Sequence, residues 1–218
     1  MKTRTFKASL SLYFSLPFYP VKSRTFFYHG HLALGIEDTV YQIYNPKLLK
    51  SDFLVSVMPV ATWLYENDRF WIDRDPSSRT YKHVHLYRES ELAKTKVYFI
   101  KIDGIDTNIT GPVQQYFKTI EEQFQRGELK FNFLTRNCAS LLNAVFYDNF
   151  GMCRSASDGI PSVIFRKVYD RLKTMDTDIH IGKLDKIKNP RFRIHRYCLG
   201  INSFSCEKYM DGWIAARS

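Results

Sequence analysis

The sequence predicts an α+β fold, on three observations. Strand-like runs fill most of the first hundred residues, and the apolar period lengthens from two to 3.6 after Gly111. Strands then helices, rather than strict alternation, is the order of an α+β chain and not of a parallel βαβ sheet. No run approaches the 18 apolar residues of a membrane span. At 218 residues, 44% hydrophobic and 16% aromatic, residues 1–218 suffice for one domain with a packed core, which excludes a disordered chain.

The elements follow in order. "ASLSLYFSLP" (8–17) reads as a first strand. With the basic head "MKTRTFK" it mimics a secretory signal, but Pro17, Pro20 and Lys22 interrupt it and no small-residue cleavage site follows. The expectation is therefore no clear signal peptide and synthesis in the cytoplasm. "TFFYHGHLALGIEDTVYQIYNP" (25–46) gives two strands around a tight turn at Glu37-Asp38-Thr39, a hairpin signal. Residues 47–93 read as an insertion or lid with some helix, in which "RFWIDR" and "HVHLYRE" are shorter strands. "TKVYFIKIDGI" (95–105) is a strong strand.

Pro112 suits a first helical position, and Val113, Tyr116, Phe117, Ile120 and Phe124 recur at helical spacing until Gly127 stops the run. Asn137 is a good N-cap for a second helix with Leu141, Leu142, Val145 and Phe146 on its buried face. A third starts near Pro161 with Val163, Ile164, Val168 and Leu172 apolar. Residues 175–218 read as a basic C-terminal extension with a strand at "RFRIHRYCLGI".

Lys and Arg outnumber Asp and Glu by 32 to 22, a formal charge of +10 that suits anionic partners: nucleic acid, a phospholipid surface or an acidic cell-wall polymer. The basic residues are scattered, as on an ordinary solvated surface, and no zinc spacing, basic helix or RNP-like strand supports nucleic acid. Cys138, Cys153, Cys198 and Cys206 are too sparse for a disulfide scaffold; Cys198 and Cys206 are either a pair in an oxidising compartment or two buried thiols.

One constellation carries chemistry. With Asn137 as cap, Cys138 falls in the first turn of its helix, where unpaired N–H groups and the helix dipole favour thiolate. Of six histidines, His31 opens the strand "HLALGI" and shares a face with Ala33 and Gly35, small residues that would let the cysteine helix lie close. Gln42, central on the next strand, can hold the imidazole through its second nitrogen. His29 is a rival by period two. "HGH" and "HVH" also read as metal-ligand pairs, although no acidic partner is spaced to join them. The bland alternative is a core cysteine beside a structural histidine. If the nucleophile reading holds, Cys138 alkylates faster at neutral pH than the other three cysteines.

Together, "GHLALGIEDTVYQIYNP" and "FNFLTRNCASLLNAVF" resemble the histidine hairpin and cysteine helix of the circularly permuted papain-like proteins of the NlpC superfamily. The bacterial Lnb N-terminal-like group and the lecithin:retinol acyltransferase-like group share this layout. The resemblance covers residues 25–46 and 94–150 and implies a permuted papain-like fold, an antiparallel sheet packed on the cysteine helix. It also implies Cys138 as nucleophile, His31 as base and Gln42 as third polar residue, where relatives often have histidine. No cofactor and no metal are implied. The reaction expected is hydrolysis of an amide in a cell-wall peptide through an acyl-enzyme. Peptidoglycan is then the anionic polymer partner, with an immunity or inhibitor protein as a further one. Such an enzyme would act in the periplasm or be delivered by a specialised secretion system as an antibacterial effector. Two alternatives stand beside it: a lipid acyltransferase or thioesterase of the same fold, working at a membrane surface, and a non-catalytic nucleic-acid or interaction module with Cys138 in the core.

Overall fold

The alternation that marks residues 8–15 as a strand places them at the centre of the sheet. The computed structural model describes residues 7–15, 18–20, 30–45, 52–65, 69–75, 80–85, 93–132, 135–152, 159–175, 178–188, 192–194 and 203–217. Its strands are β1 Lys7–Ser15, β2 Phe18–Pro20, β3 His31–Ile36, β4 Thr39–Ile43, β5 Val55–Pro59, β6 Arg69–Asp75, β7 Thr80–His85, β8 Ala93–Asp106, β9 Asp178–Lys188 and β10 Phe192–Ile194. Its helices are α1 Val60–Tyr65, α2 Thr107–Gln125, α3 Cys138–Phe150, α4 Pro161–Leu172 and α5 Ser203–Ala215. Six strands form one antiparallel sheet in the order β5-β4-β3-β1-β8-β9, and β2–β10 and β6–β7 pair separately. The fold is thus mixed α+β. None of the described helices is long and apolar enough to cross a membrane.

The pleat sends alternate residues to opposite faces, and each face has its own core. Leu12, Phe14, Leu32, Leu34, Tyr98 and Ile100 bury one face against α2, α3, α4 and α5. Tyr13, Ala33, Val40 and Val97 line the other, where Met58, Trp63 and Leu64 cover them. The β3–β4 hairpin turns at Glu37-Asp38 as the alternation predicts. Glu37 sits at φ 50, and its carboxylate accepts the Ser9 N–H at 2.9 Å, tying the turn to β1.

Several expectations are corrected. Helix α2 begins at Thr107, five residues before Pro112, because Asp106 caps it by accepting the Asn108 N–H at 2.9 Å. Pro112 costs that helix one backbone bond near its start, where the cap and packing of Val113 and Phe117 outweigh the loss. Residues 47–93 are not simply an insertion: β5 extends the main sheet and α1 closes its second face. Nor is the C-terminal region an appendage. β9 pairs with β8 from Asp178 to Lys188, and Met210, Trp213 and Ile214 of α5 enter the core. The strand expected at 191–201 is seen over Phe192–Ile194, and that at 83–89 over Thr80–His85; their remaining residues lie outside the described ones.

Candidate active site at the start of helix α3

Asn137 stops the chain in extended geometry (φ −107, ψ −175) and starts α3. Its Oδ1 accepts the N–H groups of Ala139 at 2.9 Å and Ser140 at 3.0 Å, while Ser140 Oγ accepts the Asn137 N–H at 2.9 Å. This reciprocal cap satisfies donors that would otherwise be orphaned. Asn137 also donates through Nδ2 to the Gly159 carbonyl at 2.9 Å, fixing the cap to the segment before α4. Cys138 is therefore held at the first helical position, 8% exposed and not in a disulfide.

Helix α3 packs on β3, and the Cys138 sulfur faces the backbone N–H of Leu32, one residue along from His31. Burial pushes the thiol up to about 11, against hydrogen bonds from the N–H groups of Leu32, Ala139 and Cys138 itself that favour the thiolate. The helix start thus acts in the direction the sequence suggests, but desolvation is larger, and the expected low-pKa thiol is replaced by a protonated one. A helix dipole contributes about 1 kcal/mol, whereas burial of a charge costs several.

The histidine half is built on the hairpin. Gly30 adopts φ +80, and a Cβ there would lie 2.4 Å from the Ser15 carbonyl oxygen, so glycine is needed for the chain to enter β3. His31 follows as the first strand residue, 5% exposed, its ring stacked on Tyr44 with centroids 4.8 Å apart and planes at 17°. Its Nε2 lies 3.2 Å from Gln42 Oε1. Facing a carbonyl oxygen, Nε2 carries the ring proton and Nδ1 is the basic nitrogen. Gln42 is fully buried. Its Oε1 also accepts Trp63 Nε1–H at 2.7 Å and the Tyr44 hydroxyl, and its Nε2 points to the Met58 sulfur at 3.9 Å.

His31 and Gln42 are thus brought together as the sequence suggests, and Cys138 is placed beside the same strand end. The face differs from expectation. The small residues Ala33 and Gly35 do not admit α3; a Cβ at Gly35 would meet the Tyr13 ring at 2.8 Å, and Tyr13 in turn packs on Trp63 with centroids 5.0 Å apart. Helix α3 lies instead on the Leu32/Leu34 face. Imidazole and thiol therefore approach the sheet end from its two faces, and among the described residues no hydrogen bond joins them.

His29 and His195 lie outside the described residues; His83 and His85 are seen only as backbone in β7. His180 is exposed on β9, 3.6 Å from Asp103 and 3.8 Å from Asp178. Among the described residues no three His, Cys, Asp or Glu side chains are placed to hold a metal ion. Sequence reasoning missed Tyr44 and Trp63. Tyr44 was open to it, since period two puts it on the Gln42 face; Trp63 had no such signal. No family model matches the chain, and no curated protein or solved structure matches it significantly.

Proposed function

We propose that this protein is a cysteine hydrolase that works through an acyl-enzyme, with Cys138 as nucleophile, His31 as base and Gln42 as the residue that orients the imidazole. The observation that supports the reading is the His31 Nε2–Gln42 Oε1 contact at 3.2 Å, which leaves Nδ1 as the ring nitrogen able to take a proton, with the capped thiol beside Leu32, the next residue of the same strand. The six-stranded antiparallel sheet with α3 packed on it is compatible with a permuted papain-like arrangement.

The resting thiol is protonated, so no preformed thiolate is invoked. As sulfur bonds to the substrate carbonyl carbon, the thiol proton passes to His31 Nδ1. The cap takes the N–H groups of Ala139 and Ser140, and the Cys138 N–H, which faces its own sulfur at rest, would turn to the developing oxyanion once that sulfur is bonded to carbon. The imidazolium then gives its proton to the leaving nitrogen, and the C–N bond breaks to a thioester. Water attacks that thioester, losing a proton to Nδ1, and the sulfur leaves and is reprotonated. Thiol and imidazole reach this strand end from the two faces of the sheet, so the step requires them to meet beyond the strand end when substrate binds.

By resemblance the bond is an amide of a cell-wall peptide, and the charge of +10 suits an anionic polymer. The test offers purified peptidoglycan and, separately, phospholipid vesicles to wild type and to Cys138→Ala, His31→Ala and Gln42→Ala. Release of peptides by wild type is the expected result. Cys138→Ala abolishes it, His31→Ala loses about 10² to 10⁴ in rate, and Gln42→Ala about tenfold. Fatty-acid release would move the reading to a lipid acyltransferase or thioesterase. Identical behaviour of wild type and Cys138→Ala on both substrates refutes catalysis by this cysteine.

A further inference from the structure

We infer that Trp63 is a positioning residue: its indole N–H fixes which way the Gln42 amide faces and thereby selects the His31 tautomer with the proton on Nε2. The inference rests on the catalytic reading for its consequence, but not for its geometry. Three groups surround Gln42 Oε1: Trp63 Nε1 at 2.7 Å, the Tyr44 hydroxyl, and His31 Nε2 at 3.2 Å. A hydroxyl donates or accepts, and an imidazole nitrogen does either according to its tautomer. Only the indole N–H is a donor and nothing else.

Turned over, the Gln42 amide would present its NH₂ group to all three. Tyr44 would adapt by rotating its hydroxyl, and His31 by moving its proton to Nδ1. Trp63 could not adapt: two donors would face each other in a fully buried site, the costly case of an unsatisfied polar group. The other end of the amide adds little, because the Met58 sulfur at 3.9 Å is a weak acceptor. Of the three groups facing Gln42 Oε1, Trp63 is therefore the one whose donor role is fixed by its own chemistry. Its ring is itself fixed, being 2% exposed and packed on Tyr13. Without that lock both amide orientations are open, and in the turned-over one His31 carries its proton on Nδ1, the nitrogen that must be empty to take the thiol proton. A base held in the wrong tautomer loses most of its rate while the site stays intact.

The readout is the ¹⁵N spectrum of histidine-labelled full-length protein at a pH where His31 is neutral, with the His31 signals assigned by their loss in His31→Gln. Wild type is expected to show a protonated Nε2 and an unprotonated Nδ1. Trp63→Phe, which keeps an aromatic ring and removes the donor, is expected to shift His31 to the Nδ1–H tautomer in about half of the molecules. The kcat should fall in proportion, with KM little changed. A second protein carrying β-(3-benzothienyl)alanine at position 63 keeps the indole shape with sulfur in place of N–H, so the experiment stands even if Trp63→Phe fails to fold. An unshifted Nε2–H signal in a folded variant overturns the inference, as does an Nδ1–H signal in wild type. A tautomer shift with no loss of hydrolysis upholds the lock and refutes His31 as the base, so the two claims fail separately.

Discussion

The protonation of Cys138 is open to direct titration. Burial moves this thiol up to about 11, which favours the neutral form in the folded chain by about 3 kcal/mol. At pH 7 roughly one molecule in 10⁴ then carries a thiolate, against roughly one in 10² for an unperturbed thiol. A more basic thiolate is also more nucleophilic, which returns a factor of about ten. Cys138 should therefore alkylate about tenfold more slowly than an ordinary cysteine at neutral pH, and slower still for its burial. Because burial slows the reaction equally at every pH, slope is the sharper test. The rate of iodoacetamide modification of the Cys138 peptide, followed by mass spectrometry, should rise about tenfold per pH unit from 7 to 10. The same shift affects stability. Up to about pH 8 neither state is ionised and nothing changes. Above that the unfolded chain releases its proton first, so the folded state loses about 1.4 kcal/mol per unit as pH climbs from 9 to 11. Cys138→Ser, with no ionisable proton in this range, should lose correspondingly less stability over those two units in urea titrations. An alkylation rate that levels off below pH 8 would mean a thiolate already present near neutrality, and would refute the argument that desolvation outweighs the helix start.

Two further substitutions separate positioning from chemistry. Asn137→Ala removes both cap bonds and the contact to Gly159, and should destabilise by about 2 kcal/mol in urea unfolding while lowering hydrolysis, since the cap fixes Cys138. Tyr44→Phe keeps the ring stacked on His31 but deletes one donor to Gln42; it should cost about 1 kcal/mol and leave the Nε2–H signal in place, because Trp63 still holds the amide.

What the sequence disclosed and what it hid have physical causes. The start of α3 was legible because a cap acts locally: Asn137, Ser140 and the apolar spacing after them lie within one short stretch. The hairpin was legible for the same reason, its turn and alternation being near neighbours in sequence. The side of the sheet on which α3 lies was not. Ala33 and Gly35 do make room, but for Tyr13, whose ring comes from a strand 20 residues earlier. β9 escaped notice because it is an edge strand whose lysines, suited to an exposed edge, mask the alternation of Ile179 and Ile181. Desolvation of Cys138 also needed the fold, since it depends on β3, α2 and α4 packing on the helix that carries the thiol.

The cost of the Gln42 cluster argues that it serves orientation rather than stability. Gln42 follows Val40 on the same buried face, between Met58 and Trp63, where an apolar side chain would pack without any polar group to satisfy. A buried amide there gains about 1 kcal/mol per hydrogen bond made and risks a penalty of up to about 3 kcal/mol for each one missed. Such a network contributes little to folding over an apolar core, yet it admits one arrangement of donors and acceptors only. That restriction matters most if the thiol is neutral at rest. A site with a standing thiolate needs its imidazole chiefly as a proton donor to the leaving group. A site whose thiol lies near 11 must also move a proton to the imidazole as the new bond forms, and the receiving nitrogen has to be the unprotonated one. The raised thiol and the locked amide are therefore two halves of one requirement: the first makes the base indispensable, and the second keeps it in the tautomer that can act.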